Sequence, residues 1–131
     1  MANILSSTDF VEVEKLYYIP TLKNYPERVV ILNGVIDVSQ LQFLKQYALT
    51  VAEVTASTEL KEALKYFTFA KWIRTQWLEA TQVGASVRKE QIKGVPTYDS
   101  TREVDSLNMC IDIVNETLGT TYQNLKPFIN Y

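Results

Sequence analysis

The sequence predicts an all-α protein: a compact bundle of four to five helices, with a long central helix and an extended arm or hairpin between the last two helices. Apolar residues recur at spacings of three and four, the period of a helix face, through most of the chain. The four glycines (34, 84, 94 and 119) are isolated and fall where turns and helix ends are expected. Hydrophobic residues make up 47% and charged residues 21% of 131 residues, a globular composition long enough to bury a core without metal or disulfides. No internal repeat or low-complexity segment divides the chain, so residues 1–131 read as a single domain.

Taken in order, Ser6-Ser7-Thr8-Asp9 supplies N-caps for a short helix from about Thr8 to Tyr17. Pro20 and Pro26 stop its continuation, and Tyr17–Tyr25 reads as an extended connector with two tyrosines facing a neighbour. Arg28-Val29-Val30-Ile31-Leu32 suits a short strand or a helical turn. Pro26 before it and Gly34 after it tilt the choice to helix. Asp37 or Ser39 then caps a helix running to about Ala56. Its apolar face holds Leu41, Leu44, Ala48, Val51, Ala52 and Val54, widened by Phe43 and Tyr47.

Ser57-Thr58-Glu59 opens the longest element, a helix reaching about Gln82 and closed by Gly84. Leu60, Ala63, Phe67, Ala70, Ile73, Trp77 and Ala80 form its stripe, while Leu64, Phe69, Trp72 and Leu78 load the other faces. A helix apolar around most of its girth is buried around most of its girth. Residues 85–95 lack a helical stripe and read as a charged arm or loose hairpin, a length at which loops tend to be functional. Ser100-Thr101-Arg102-Glu103 has the capping-box form. Val104, Leu107, Ile111, Val114 and Leu118 follow as the face of a last helix stopped by Gly119. The tail Thr120–Tyr131 is too apolar to float freely and must dock, on this domain or on a partner.

Little in the chain points to chemistry. It has no histidine, which removes Ser–His–Asp, Cys–His and most zinc arrangements together. No glycine-rich phosphate loop is present. Cys110 is the single cysteine, so an intrachain disulfide is excluded and a reducing compartment is expected. Its apolar surroundings read as those of a small buried thiol. The carboxylate pairs Glu12/Glu14 and Asp112/Glu116 read as solvated surface, the alternative being a metal-dependent nuclease built on Asp112 and Glu116. The run Tyr66–Trp77 has the aromatics of a base-stacking platform, but their helical spacing favours core packing.

With 13 Lys+Arg against 15 Asp+Glu, the net charge of -2 lacks the basic excess of a generic nucleic-acid binder. The N-terminus carries no basic-then-apolar leader, and no run approaches the ~20 apolar residues of a membrane span. A soluble protein inside the cell that makes it is the expectation, without catalytic residues, metal or cofactor.

The stretches TELKEALKYFTFAKWIRTQWLEATQVGASVRKEQ (58–91) and STREVDSLNMCIDIVNETLGTTYQNLKPFINY (100–131) resemble the small helical head–tail connector proteins of tailed bacteriophages. The likeness is closest to the ring proteins of crAss-like phages. It covers residues 57–131 in texture and the first half by general pattern. The short N-terminal helix and the Tyr17–Tyr25 connector depart from the simplest connectors. The resemblance implies a virion structural protein: a ring of identical subunits beneath the portal protein, continuing the DNA channel without sequence-specific binding and meeting tail or further neck proteins. It also implies that the arm (Val87, Arg88, Lys89, Gln91, Ile92, Lys93) and the tail (Leu125, Phe128, Ile129, Tyr131) contact those partners. The residues alone leave a second reading open, a small helical protein–protein interaction module.

Overall fold

The chain is helical, as the periodicity predicts. The computed structural model describes residues 3–20, 22, 25–88, 98–99, 101–125 and 129–130, with side chains described for all of these except 77–88, 98–99 and 129–130. Among them are four α-helices: α1 (Arg28–Gln46), α2 (Val51–Ala56), α3 (Thr58–Arg88) and α4 (Thr101–Leu118). A 3₁₀ turn at Ser7–Phe10 precedes them. Two short strands, β1 (Tyr98–Asp99) and β2 (Ile129–Asn130), pair antiparallel, with Tyr98 opposite Asn130 and Asp99 opposite Ile129.

The long helix is central because its sequence leaves it no polar side. Along α3, Leu60, Ala63, Leu64 and the run Tyr66-Phe67-Thr68-Phe69-Ala70, with Trp72, are all buried. Five consecutive buried residues cover every direction around a helix of 3.6 residues per turn. α4 packs most extensively on α3, α1 covers another side, and the N-terminal segment covers a third. Phe67 meets Phe43 of α1 edge to face at 5.7 Å, and Tyr66 meets Tyr17 at 5.5 Å. The one hydroxyl in this run, on Thr68, donates back to the Leu64 carbonyl at 2.8 Å, so its burial leaves no orphan. The aromatics of 66–72 therefore pack in the core and form no exposed stacking platform.

The structure moves several boundaries. The N-terminal helix is a single 3₁₀ turn, after which residues 13–17 turn back on themselves. Tyr17 faces no neighbour, because it is buried under the Phe10 ring at 5.7 Å. Arg28 to Gln46 form one helix that runs straight through Gly34, so neither Asp37 nor Ser39 is a cap, and Leu41 points outward instead of into the core. α3 likewise runs through Gly84 to Arg88, so the first residues assigned to the arm belong to the helix. The rest of the arm lies outside the described residues, except Tyr98–Asp99 just after it.

The break missed in sequence lies at Tyr47–Thr50. Ala48 takes a left-handed backbone (φ 52), and Leu49 N–H donates to the Leu44 carbonyl at 2.9 Å. That bond from the second residue beyond the cap, with Leu44 and Leu49 both buried, is a Schellman ending. Thr50 then caps α2: its Oγ1 accepts from Glu53 N–H at 3.2 Å while the Glu53 carboxylate accepts from Thr50 N–H at 3.2 Å. Ser57 Oγ accepts from Leu60 N–H at the start of α3, in agreement with the sequence. α4 ends as predicted at Gly119 (φ +68), where Thr120 N–H donates to the Asn115 carbonyl at 3.2 Å.

These two endings make a matched experiment. Left-handed backbone costs a residue with a Cβ about 1–2 kcal/mol. Ala48→Gly should therefore stabilise the fold by about 0.5–1 kcal/mol, and Gly119→Ala should destabilise it by a similar amount or more. Urea denaturation of the two variants against the parent checks both signs.

Candidate interaction surface

Of the ten residues assigned to partner contact, four fall among the described residues. Val87 and Arg88 form the end of α3, and Ile129 lies in β2. Lys89, Gln91, Ile92, Lys93, Phe128 and Tyr131 lie outside the described residues. Of the set, only Leu125 has a described side chain, and it is exposed.

What holds Leu125 was not anticipated from sequence. The tail lies against α4, clipped by two asparagines seven residues apart. Asn115 accepts from Tyr122 N–H at 2.9 Å and donates to the Tyr122 carbonyl at 2.9 Å. Asn108 does the same for Leu125, accepting at 2.8 Å and donating at 3.1 Å. Between them Asn124 donates to the Asp112 carboxylate at 3.2 Å. A carboxamide carries both a donor and an acceptor, so it can pair with one residue's backbone as a neighbouring strand would. The legible signal is the polar row Asn108, Asp112 and Asn115 at helical spacing. Tyr122 finishes the dock by meeting the Tyr47 ring at 5.1 Å. Asp112 thus serves the tail clip, and Glu116, its i,i+4 neighbour, is exposed.

The reactive side chains are quiet. Cys110 is buried 4.0 Å from Tyr47 Oη, and burial pushes its thiol up to about 12, slightly offset by that contact. It stays protonated at neutral pH, which is not the thiolate a nucleophile needs. Burial also raises the phenols of Tyr17, Tyr47 and Tyr66, with Glu62 adding to the effect at Tyr17 and Tyr66. A groove of about 650 Å³ runs between the start of α3 and the end of α4. Glu59, Glu62, Ile113 and Glu116 line it. Among the described residues no cluster of three metal-ligating side chains is present, and no helix is long and apolar enough to cross a membrane.

The feature that stands out is apolar surface facing outward. The buried side of α1 holds Leu32, Ile36, Ser39, Gln40 and Phe43. Its opposite side carries Val30, Val38 and Leu41, exposed by 75, 53 and 55%, with Gly34 among them. Asp37 and Lys45 share that side, which is otherwise more apolar than a solvated helix face usually is. Beside this stripe, α1 and α3 enclose a groove of about 400 Å³ lined by Ile31, Val35, Val38, Ser39, Lys71 and Arg74. Elsewhere, residues 11–16 form an exposed loop tip bearing Val13 and Leu16, exposed by 65 and 69%.

Two outcomes are expected. The buried thiol and phenols stay protonated in the folded chain, while the unfolded chain ionises from about pH 9 upward. The unfolded state then binds fewer protons, so stability is fully present below about pH 9 and is lost as pH rises toward 12. Each ionising group contributes about 1.4 kcal/mol per pH unit, and Cys110→Ala should remove one group's share of the slope in denaturation curves between pH 8 and 11. Second, Asn115→Ala should speed hydrogen exchange at the Tyr122 amide at least about tenfold, consistent with a lost bond worth roughly 1 kcal/mol or more. The Leu125 amide, held by Asn108, should change less.

No protein-family model, curated protein or solved structure matches this chain.

Proposed function

We propose that this chain is a structural subunit of an oligomeric ring in the neck of a tailed bacteriophage, joining portal and capsid to the tail and continuing the DNA channel. The observation that carries self-assembly is the outward face of α1. Three large apolar side chains and a glycine share this exposed face with Asp37 and Lys45, more apolar surface than a solvated helix side usually shows. Such a face is stable in water only at a cost, and a neighbouring chain removes it. The resemblance of residues 57–131 to head–tail connectors supplies the kind of assembly. The net charge of -2 suits a channel wall past which DNA slides without being gripped. The quiet thiol and the use of Asp112 as a tail clip favour a role in architecture over one in chemistry.

Val30→Asp with Leu41→Asp should reduce the assembled mass to that of a monomer while changing unfolding stability by no more than about 1 kcal/mol, since both side chains are exposed. Light scattering reads the mass. Co-expression with portal and neck proteins from the same genome should give rings visible by electron microscopy. A compact monomer at high concentration that binds none of those proteins would overturn the proposal. A single soluble partner captured in equal ratio, without rings, would identify an interaction module instead.

A further inference from the structure

The outward surfaces differ in chemistry and lie on opposite sides of the domain. The first is a closed loop. Ile19 N–H donates to the Phe10 carbonyl at 2.9 Å, and the Phe10 and Tyr17 rings lock the base at 5.7 Å. Lys15 N–H to the Glu12 carbonyl at 3.2 Å shapes the tip. A compact loop with its ends pinned and its tip exposed is already ordered before it binds anything. The tip presents Val11, Val13 and Leu16 between the exposed carboxylates of Glu12 and Glu14, with one cation, Lys15.

The second surface is the groove between α1 and α3. Its floor is apolar (Ile31, Val35, Val38) and its α3 edge is cationic. Lys71 Nζ stands over the Phe67 ring at 5.2 Å, and Arg74 reaches Glu103 at 3.8 Å. At the floor lies Ser39, fully buried, whose Oγ has no hydrogen-bond partner among the described residues. Apolar knobs flanked by carboxylates complement an apolar floor edged by cations.

A chain cannot make this contact with itself. The loop rests on the side of α3 that carries Glu62, Tyr66 and Phe69. The groove uses Lys71, Arg74 and Thr75, roughly 150° around the helix at about 100° per residue. α1 agrees: its Asp37 and Gln40 flank holds the N-terminal segment through Asn3 and Ile4, and its Ile31, Val35 and Val38 flank faces the groove. The helix pair stands between knob and hole.

The geometry points to head-to-tail assembly in which the Val11–Leu16 loop tip of one copy seats in the α1–α3 groove of the next. This rests on the self-assembly part of the function proposed above and adds a contact beside the α1 stripe, with Val38 common to both. A contact between two different patches does not close on itself in a dimer. It propagates, giving a ring where the rotation closes and a filament where it does not.

The test places cysteines at two exposed positions of the full chain, Val13→Cys and Val38→Cys, and applies a mild oxidant. Cys110, buried and protonated, stays out of the reaction. The double variant should give a ladder of disulfide-linked dimers, trimers and higher species, and a mixture of the two single variants should give dimers only. Glu12→Lys with Glu14→Lys should cut the cross-linking yield about tenfold or more, and adding Lys71→Glu should recover much of it. Efficient dimerisation of Val38→Cys alone would mean a two-fold contact and would overturn the inference. An oligomer by light scattering that gives no ladder overturns the docking while sparing self-assembly. A monomer without a ladder overturns both.

Discussion

The fold hangs on the burial of α3. Between Tyr66 and Trp72 it exposes no large apolar group, and this requires cover from three directions at once. α4 supplies one wall, α1 supplies another through Phe43, and the pinned N-terminal loop supplies the third through Tyr17. Fully burying aromatic side chains of this size is worth about 1.5–3 kcal/mol each, so no wall can leave without exposing several such contributions. The loop is therefore part of the core at its base. Phe10 and Tyr17 are fixed there, and the intervening residues are left standing outward on a rigid footing.

The helical class and the central position of α3 were legible because periodicity reports directly on burial. Helix ends were less so. Gly84 and Gly34 read as stops, yet both lie inside helices, since a glycine costs a helix interior only about 1 kcal/mol and does not by itself end one. The true break at Ala48 carries no glycine. There the burial of Leu44 and Leu49 across the turn, with the Leu49-to-Leu44 hydrogen bond, holds an alanine in a conformation that it disfavours. A local rule lost to a tertiary contact, and the single-residue signal pointed the wrong way. Thr50 and Glu53, a capping box three residues apart, were the readable sign that a new helix begins.

The site was less legible than the fold. A stripe of apolar residues predicts a buried face only if the helix keeps its apolar residues on one side, and α1 exposes several on another. Leu41 fits the three-four spacing of the core as well as Leu44 does, yet Leu44 is buried and Leu41 exposed. Sequence gives the spacing but not the phase of the helix against its neighbours. The tail shows the opposite case. Its docking was expected from its apolar content, but its hold on α4 comes from Asn108 and Asn115, which look like ordinary surface until their spacing is matched to the returning chain.

Placing the groove and the loop on opposite flanks has a consequence for how an assembly grows. A patch that pairs with itself stops at two subunits, because each copy uses its surface once and none remains. In the head-to-tail contact proposed above, each copy that fills a neighbour's groove would still offer its own, so the valence would not be exhausted until the chain of contacts met its start. The angle between the two patches then decides the number of subunits. That angle is set by how the loop base and α1 sit on α3, through Tyr17 on Tyr66 and Phe43 on Phe67. The same aromatic contacts that bury the central helix would thus fix the curvature of the assembly, and core substitutions at Phe43 or Tyr66 would alter subunit number without touching the interface.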